Sequence, residues 1–191
     1  MWLMDHQMNM KVSDEFGQYF VRLPLTKAAK IVHGNALRID WAEVVPKEQL
    51  NYILGNPPFV GSKLQTEEQR ADMVRVYGDV QDAAIMDYVS SWHIKSAQYI
   101  QNTLIRCAFV STNSICQGEQ VSVLWAEMLN HYKIKIHFAH RTFKWSNEAK
   151  GNAAVFCIVI GFANFDISQK IIFDYENVKG EAHEIWAKNI N

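Results

Sequence analysis

The sequence predicts an α/β fold: a doubly wound, mostly parallel sheet with an antiparallel edge hairpin. Three observations carry that prediction. Short apolar runs alternate with stretches of helical period. One run, Tyr52-Ile53-Leu54-Gly55, breaks abruptly into Asn56-Pro57-Pro58-Phe59. Two late strand-like runs, Lys133 to Ala139 and Ala154 to Phe162, flank a polar loop from His140 to Asn152. With 191 residues, 49% of them hydrophobic, the chain can fill one sizeable core. No Pro-, Gly- or Ser-rich linker divides it, so one domain over residues 1–191 is expected.

The elements follow in order. Ile31 to His33 and Asn51 to Leu54 are short runs stopped by Gly34 and by the Asn-Pro-Pro corner, the pattern of buried parallel strands. Thr66 to Arg75 is rich in charge and reads as a mobile segment over a site. Asp82 to Ile100 reads as one helix, because Ile85, Tyr88, Val89, Trp92, Ser96 and Tyr99 recur at three- and four-residue spacing. Ile105 to Ser111 is the next strand, followed by a loop through Gly118. A helix then runs from about Glu119 to Tyr132, with Val121, Leu124, Trp125 and Met128 facing inward. Ile134, Ile136 and Phe138 alternate within Lys133 to Ala139, which can pair antiparallel with Ala154 to Phe162. Lys170 to Tyr175 is one further strand.

Charge and cysteine usage narrow the function classes. A formal net charge of -1 gives no overall basic field to draw in a polyanion, so phosphate binding would come largely from outside this stretch. Lys63, Arg70, Arg75, Arg141, Lys144 and Lys150 are cations that could touch phosphates, although a solvated face explains them equally well. Cys107, Cys116 and Cys157 are isolated, with no CxxC spacing for zinc or redox work. A reducing, cytoplasmic setting fits them. There is no signal-peptide pattern, no apolar run of membrane-spanning length, no repeat and no low-complexity tract. His137 and His140 stand at a spacing metal sites can use, but no carboxylate or cysteine nearby completes a set. Solvated histidines and no metal are expected.

The corner itself carries the chemistry. Two consecutive prolines fix φ and exclude both helix and ladder pairing, so the loop is stiff and its carbonyls lack regular partners. Asn56 adds a side-chain oxygen that accepts hydrogen bonds without ionising, and the Pro57 carbonyl is a second acceptor close by. A planar exocyclic NH2 bound by two fixed acceptors has its lone pair directed at a nearby electrophile, which is electrostatic preorganisation more than base catalysis. Phe59 supplies a stacking face. Asn and Pro are also ordinary turn formers. The position at the carboxyl end of a predicted strand, where open α/β sheets hold ligands, favours a site.

These residues resemble the fourth motif, Asp/Asn-Pro-Pro-Tyr/Phe, of class I S-adenosylmethionine-dependent DNA adenine-N6 methyltransferases. Within that group the chain is most similar to the MmeI-like enzymes, which fuse restriction and modification in one polypeptide. The similarity covers nearly the whole chain. It runs through Met1 to Met8, Val32-His33-Gly34-Asn35-Ala36-Leu37, Leu54 to Phe59, Asp87-Tyr88-Val89, Phe109 to Gln120 and Phe143 to Ala149. The family's glycine-rich donor loop after the first strand, and the acidic residue after the second, are absent. The resemblance therefore implies a partial, Rossmann-like class I sheet lacking two strands. The expected chain is a catalytic-domain fragment of a larger polypeptide, with its N-terminal donor motif, target-recognition and nuclease regions elsewhere.

The resemblance also implies roles. Asn56 and Pro57 would hold the adenine amino group, with Pro58 and Phe59 completing the catalytic corner. Asn35, Ala36 and Asp87 would line the S-adenosylmethionine pocket. Phe143 and Trp145, in the polar loop, would stack on a base extruded from double-stranded DNA. Alternatives stay open at each place. A Gly-Asn turn explains Gly34 to Leu37, helical spacing makes Tyr88 a core aromatic, and Trp145 could fold over a sheet edge. Asn113 and Gln117 read as structural hydrogen-bonders. Two other functions compete: an amino-group methyltransferase acting on protein or a small molecule, and a non-catalytic nucleic-acid-binding or scaffold remnant.

Overall fold

The computed structural model describes residues 2–17, 29–145, 155–178 and 180–190. They fall into two compact units, Met1–His33 and Gly34–Asn191. In the first, helix α1 (Trp2–Phe16) ends at Gly17, whose φ of 63° lies in the left-handed region that stops helices. Residues 31–33 form no strand. Ile31 is 87% exposed, and a strand without a ladder partner has nothing to hold its backbone groups.

The second unit is built on a six-stranded sheet: β1 (Tyr52–Gly55), β2 (Arg106–Thr112), β3 (Lys135–Trp145), β4 (Val155–Ala163), β5 (Lys170–Tyr175) and β6 (Ala182–Ala187). Their spatial order is β1-β2-β4-β3-β5-β6. β1 runs parallel to β2 and β3 parallel to β5, whereas β4 is antiparallel to both of its neighbours and β6 to β5. Four strands therefore share one direction and β4 and β6 oppose them. The expected hairpin of β3 and β4 exists, but β4 lies inside the sheet between β2 and β3. The antiparallel edge is made by β5 and β6.

Four local differences from the sequence reading have physical causes. Thr66 to Arg75 is not a loose segment but the start of α3 (Glu67–Tyr77), closed by a capping box in which the Thr66 hydroxyl accepts from the Gln69 N–H and the Gln69 side chain accepts from the Thr66 N–H. The single helix expected over residues 82–100 is broken. A 3-10 turn (Ala83–Ile85) starts from Asp82 at φ 61°, Met86 is extended, and α4 runs only from Ser90 to Tyr99. The next helix begins as α5 (Gln120–Trp125) and continues as a π-helical turn, Ala126–His131. β3 extends through Trp145, with register shifts that absorb extra residues between Ile136 and Phe138 and between His140 and Phe143. Phe143 and Trp145 are thus strand residues. The remainder of their segment, residues 146–149, lies outside the described residues, as does Lys150.

Helix α4 packs on β2 and α3 packs on α4, around a core that includes Met73, Val76, Tyr77, Ile94, Phe109, Ile160 and Phe162. Gly161 lets this sheet pack, because a Cβ there would collide with the Phe138 ring lying across it. Cys107 and Cys157 are buried small apolar groups on β2 and β4. His137 and His140 are packed rather than solvated. His137 Nε2 donates to the Phe165 carbonyl at 2.8 Å, and His140 Nδ1 meets the Tyr175 hydroxyl at 2.8 Å while its ring stacks on Phe173 with centroids 4.2 Å apart. Among the described residues there is no helix long and apolar enough to cross a membrane and no metal-holding group of His, Cys, Asp and Glu.

At the centre of the α4–sheet contact His93 is fully buried, edge-on to Phe109 and stacked near Phe162. The Val89 carbonyl can only accept, so Nδ1 carries the proton and Nε2 faces the Ser111 hydroxyl at 3.4 Å. Burial lowers the His93 pKa to about 4. The unfolded chain, with an ordinary value of about 6.5, binds this proton more readily, so stability is full above that pH and falls as pH drops toward 4. Urea unfolding is expected to show a loss of about 3 kcal/mol over this window in the wild type, much reduced in His93→Leu. Parallel profiles for the two proteins would contradict the assignment.

Candidate methyl-transfer cleft

Asn56, Pro57 and Pro58 stand directly after the carboxyl end of β1. Pro57 is buried, whereas Asn56 and Pro58 are exposed, so the corner is anchored in the middle and open on both sides. The three residues line a cleft of about 700 Å3. Gly55, Ile53 and Phe109 form its floor on the sheet. Gly34, Asn35, Ala36, Arg38 and Trp41 form one wall, Thr66, Glu68, Gln69 and Asp72 a second, and Tyr88, just before α4, and Trp92, within it, also contribute. A Cβ on Gly55 would stand 3.2 Å from the Phe109 ring, so glycine keeps the chain close to the aromatic floor.

Asp72 organises the walls. Only 1% exposed, it receives Arg38 Nε at 2.6 Å and a second Arg38 nitrogen at 3.1 Å, the Tyr88 hydroxyl at 2.8 Å and Asn35 Nδ2 at 2.8 Å. Burial raises its pKa. The hydrogen bonds from Arg38, Tyr88 and Asn35 outweigh that effect and hold the carboxyl below the ordinary range. The same pairing raises the Arg38 pKa. Asn35 also donates to the Tyr88 hydroxyl at 3.3 Å and accepts from the Leu37 N–H at 2.9 Å, so its side chain is committed within the wall. The turn that follows is gripped by Lys95, whose ammonium donates to the carbonyls of Ala36, Leu37 and Ile39 at 2.8, 2.9 and 2.6 Å, while Trp41 Nε1 donates to Ala36 at 2.8 Å. Burial lowers the Lys95 pKa, against the pull of Asp40.

The structure brings together Asn35, Ala36, Asn56, Pro57 and Pro58. Phe59 is half-buried and packs against the core beside the cleft. Asp87 does not line the cleft, and its carboxylate is occupied by Ser62 and Ser114. Phe143 and Trp145 do not line it either. They cluster with His140 and Tyr175 on β3 and β5. Their height can still be read from the ladder. Gly55 pairs with Phe109, Phe109 with Ile160 and Ile160 with Ala139, and Phe143 lies four residues further along β3. Since β1, β2 and β3 run the same way, these aromatics stand at the same end of the sheet as Asn56, three strand spacings away, or roughly 14 Å. Sequence reasoning missed Asp72, Arg38, Lys95 and Trp41. Asp72 and Arg38 pair across 34 residues and Lys95 reaches back 56 to 59, so no local pattern marks them, and Trp41, which donates to Ala36 five residues earlier, carries no motif of its own.

A cleft at the carboxyl ends of parallel strands, closed by an Asn-Pro-Pro corner, is accompanied by a family match. The model described as MmeI, DNA-methyltransferase domain, covers residues 1–174. This chain belongs to the MmeI DNA-methyltransferase domain family. DNA methyltransferase A of Bacillus subtilis (strain 168) is 42% identical over 184 residues, which are 94% of this chain and 21% of that protein. The solved structure of the Type IIL restriction-modification enzyme MmeI in complex with DNA is 56% identical, with a TM-score of 0.87, and the match covers 100% of this chain and 25% of that one. The type IIG restriction endonuclease BpuSI shares the fold at 9% identity and a TM-score of 0.50, over 73% of this chain and 17% of its own. The chain thus spans about a fifth to a quarter of the length of its two more similar relatives.

In this member of the MmeI family the Asp72 cluster is expected to behave as a structural ion-pair site. Asp72→Asn, which keeps the shape but removes the charge, is expected to cost about 2 kcal/mol in urea unfolding at pH 7. Because the folded pKa is lowered, the wild-type advantage is present above about pH 4 and is lost as pH falls below it, where the two proteins converge. A variant as stable as the wild type at pH 7 would show that the cluster contributes no net stability.

Proposed function

We propose that this chain is the part of a restriction-modification DNA methyltransferase that holds the target amino group, and that the transfer runs from S-adenosylmethionine to N6 of an adenine turned out of double-stranded DNA. The observation that carries the reading is the rigid Asn56-Pro57-Pro58 corner opening into the 700 Å3 cleft from the end of β1. The family membership supports the reaction class. The acceptor chemistry of the corner supports a planar NH2 as the group methylated.

The residues present fit a donor of that size and kind. The cleft lies within the 300–1,000 Å3 range common for small-molecule sites. Trp41, Trp92 and Phe109 offer aromatic surface, and the glycine at position 55 keeps the floor open. S-adenosylmethionine, when bound, supplies an electrophilic methyl on a sulfonium. Gly34 and Ala36 would give close backbone approach, and Asn35 would shape the wall through its ties to Asp72 and Tyr88. At the corner, the Asn56 side-chain oxygen and the Pro57 carbonyl accept the two N–H groups of the target and fix its lone pair toward the cleft. No ionisable base is required for that alignment. Phe59 beside the corner, and Phe143 and Trp145 at the same end of the sheet, are the aromatic faces available to hold an extruded ring. Binding to DNA and the contribution of a larger polypeptide complete the proposal. The near-neutral charge of the chain favours phosphate contacts made largely by other segments.

The test pairs donor titration by calorimetry with methyl transfer to duplexes containing or lacking adenine. Asn56→Ala is expected to bind S-adenosylmethionine as the wild type does and to transfer roughly a hundredfold more slowly, the loss typical of one preorganised partner of a reacting group. Label arriving on cytosine or on a protein amide would overturn the adenine reading. An unchanged transfer rate would remove Asn56 from the site.

A further inference from the structure

The stretch between the Asn-Pro-Pro corner and α3 has no secondary structure beyond the 3-10 turn Ser62–Leu64, yet it must keep the corner still. What holds it is the helix break at residues 86–88. Asp87 Oδ1 accepts the Ser62 N–H at 3.1 Å, and the Tyr88 N–H donates to the Val60 carbonyl at 2.9 Å. Gln65 Nε2 donates to the Met86 carbonyl at 2.9 Å. On its other side the same carboxylate takes the Ser114 hydroxyl at 2.5 Å, and the Asp87 N–H donates to the Gln120 side chain at 3.1 Å. Asp87 therefore joins the loop after β1 to the segment after β2, each oxygen serving one loop.

We infer that Asp87 is a positioning residue that clamps the loop following the Asn56 corner to the segment following β2, and that it does not contact the methyl donor. The role explains the helix break, since a continuous helix through residues 86–88 would satisfy these backbone groups internally and leave the Val60–Gln65 loop without partners. Gly61 runs beside the carboxylate, where even a Cβ would stand at ordinary contact distance, 3.7 Å. Asp87 acts on the reaction through the corner, and in this it rests on the function proposed above.

Hydrogen exchange of the 191-residue chain tests the clamp without any assay of activity. In Asp87→Ala, amides of residues 59–64 are expected to exchange roughly tenfold or more faster, the loss of a hydrogen bond to a charged group. Amides of residues 35–39, held by Asp72 and Lys95, should be unchanged. Asp87→Asn, which retains an acceptor for Ser62, restores most of the protection, and Ser114→Ala gives a partial loss that adds nothing in the double variant with Asp87→Ala. Unchanged exchange at residues 59–64, or an equal rise throughout the domain, overturns the clamp. The second readout separates positioning from donor contact. Asp87→Ala is expected to keep the wild-type dissociation constant for S-adenosylmethionine and to lose methyl-transfer rate, whereas a weakened donor constant with intact exchange overturns the inference. Absence of transfer by the larger polypeptide proposed above would count against the methyltransferase reading alone, because the exchange result decides the clamp by itself.

Discussion

A carboxylate cut off from water has to be given back the hydrogen bonds that water supplied, and in this fold that requirement falls on Asp72. Its donors come from two places in the sequence, Arg38 and Asn35 on the turn after Gly34 and Tyr88 at the helix break, while Asp72 itself stands on α3. Satisfying one side chain therefore fixes three segments against one another, and those segments are walls of the cleft. A hydrophobic cluster could hold them together, but it would not dictate the orientation of the Asn35 amide or the Tyr88 hydroxyl. The ionic cluster does both.

The sheet supplies the other half of the arrangement. Parallel running of β1, β2 and β3 sends the Asn-Pro-Pro corner, the Asn113–Gln120 segment and the Phe143–Trp145 pair to one end. β4, reversed between β2 and β3, spaces the corner from the aromatics. The broken helix between α3 and α4 then serves two loops at once, Tyr88 turning toward the cleft and Asp87 away from it.

Much of this was legible in the sequence, for identifiable reasons. β1, β2, β4 and β5 announce themselves as short apolar runs ended by glycine, proline or polar residues, and the proline pair locates the corner without help from distant contacts. β6 was invisible because both of its faces are largely exposed, so no alternation marks it. The break at residues 86–88 was hidden because apolar spacing continues straight through it. The contacts that cause it, to Ser62 and Ser114, lie 25 and 27 residues away. Likewise, Thr66 to Arg75 reads as a mobile charged segment until Arg38, 34 residues before Asp72, is brought beside it. Charges whose partners are remote cannot be distinguished locally from charges whose partner is water.

Helix α3 has work on almost every side. Glu68, Gln69 and Asp72 look into the cleft, Met73, Val76 and Tyr77 into the core, and Arg70 and Val74 toward a separate groove that Ser114 and Gln120 also line. Glu67, Glu68, Arg70, Ala71, Val74 and Arg75 are all exposed, so the outer side of the helix faces solvent even where it borders the two openings. The helix thus stands between two cavities with its outer side in water. A fluorophore or spin label attached at Ala71 would ride on that helix and report its tilt toward either cavity, without a side chain of its own in the way.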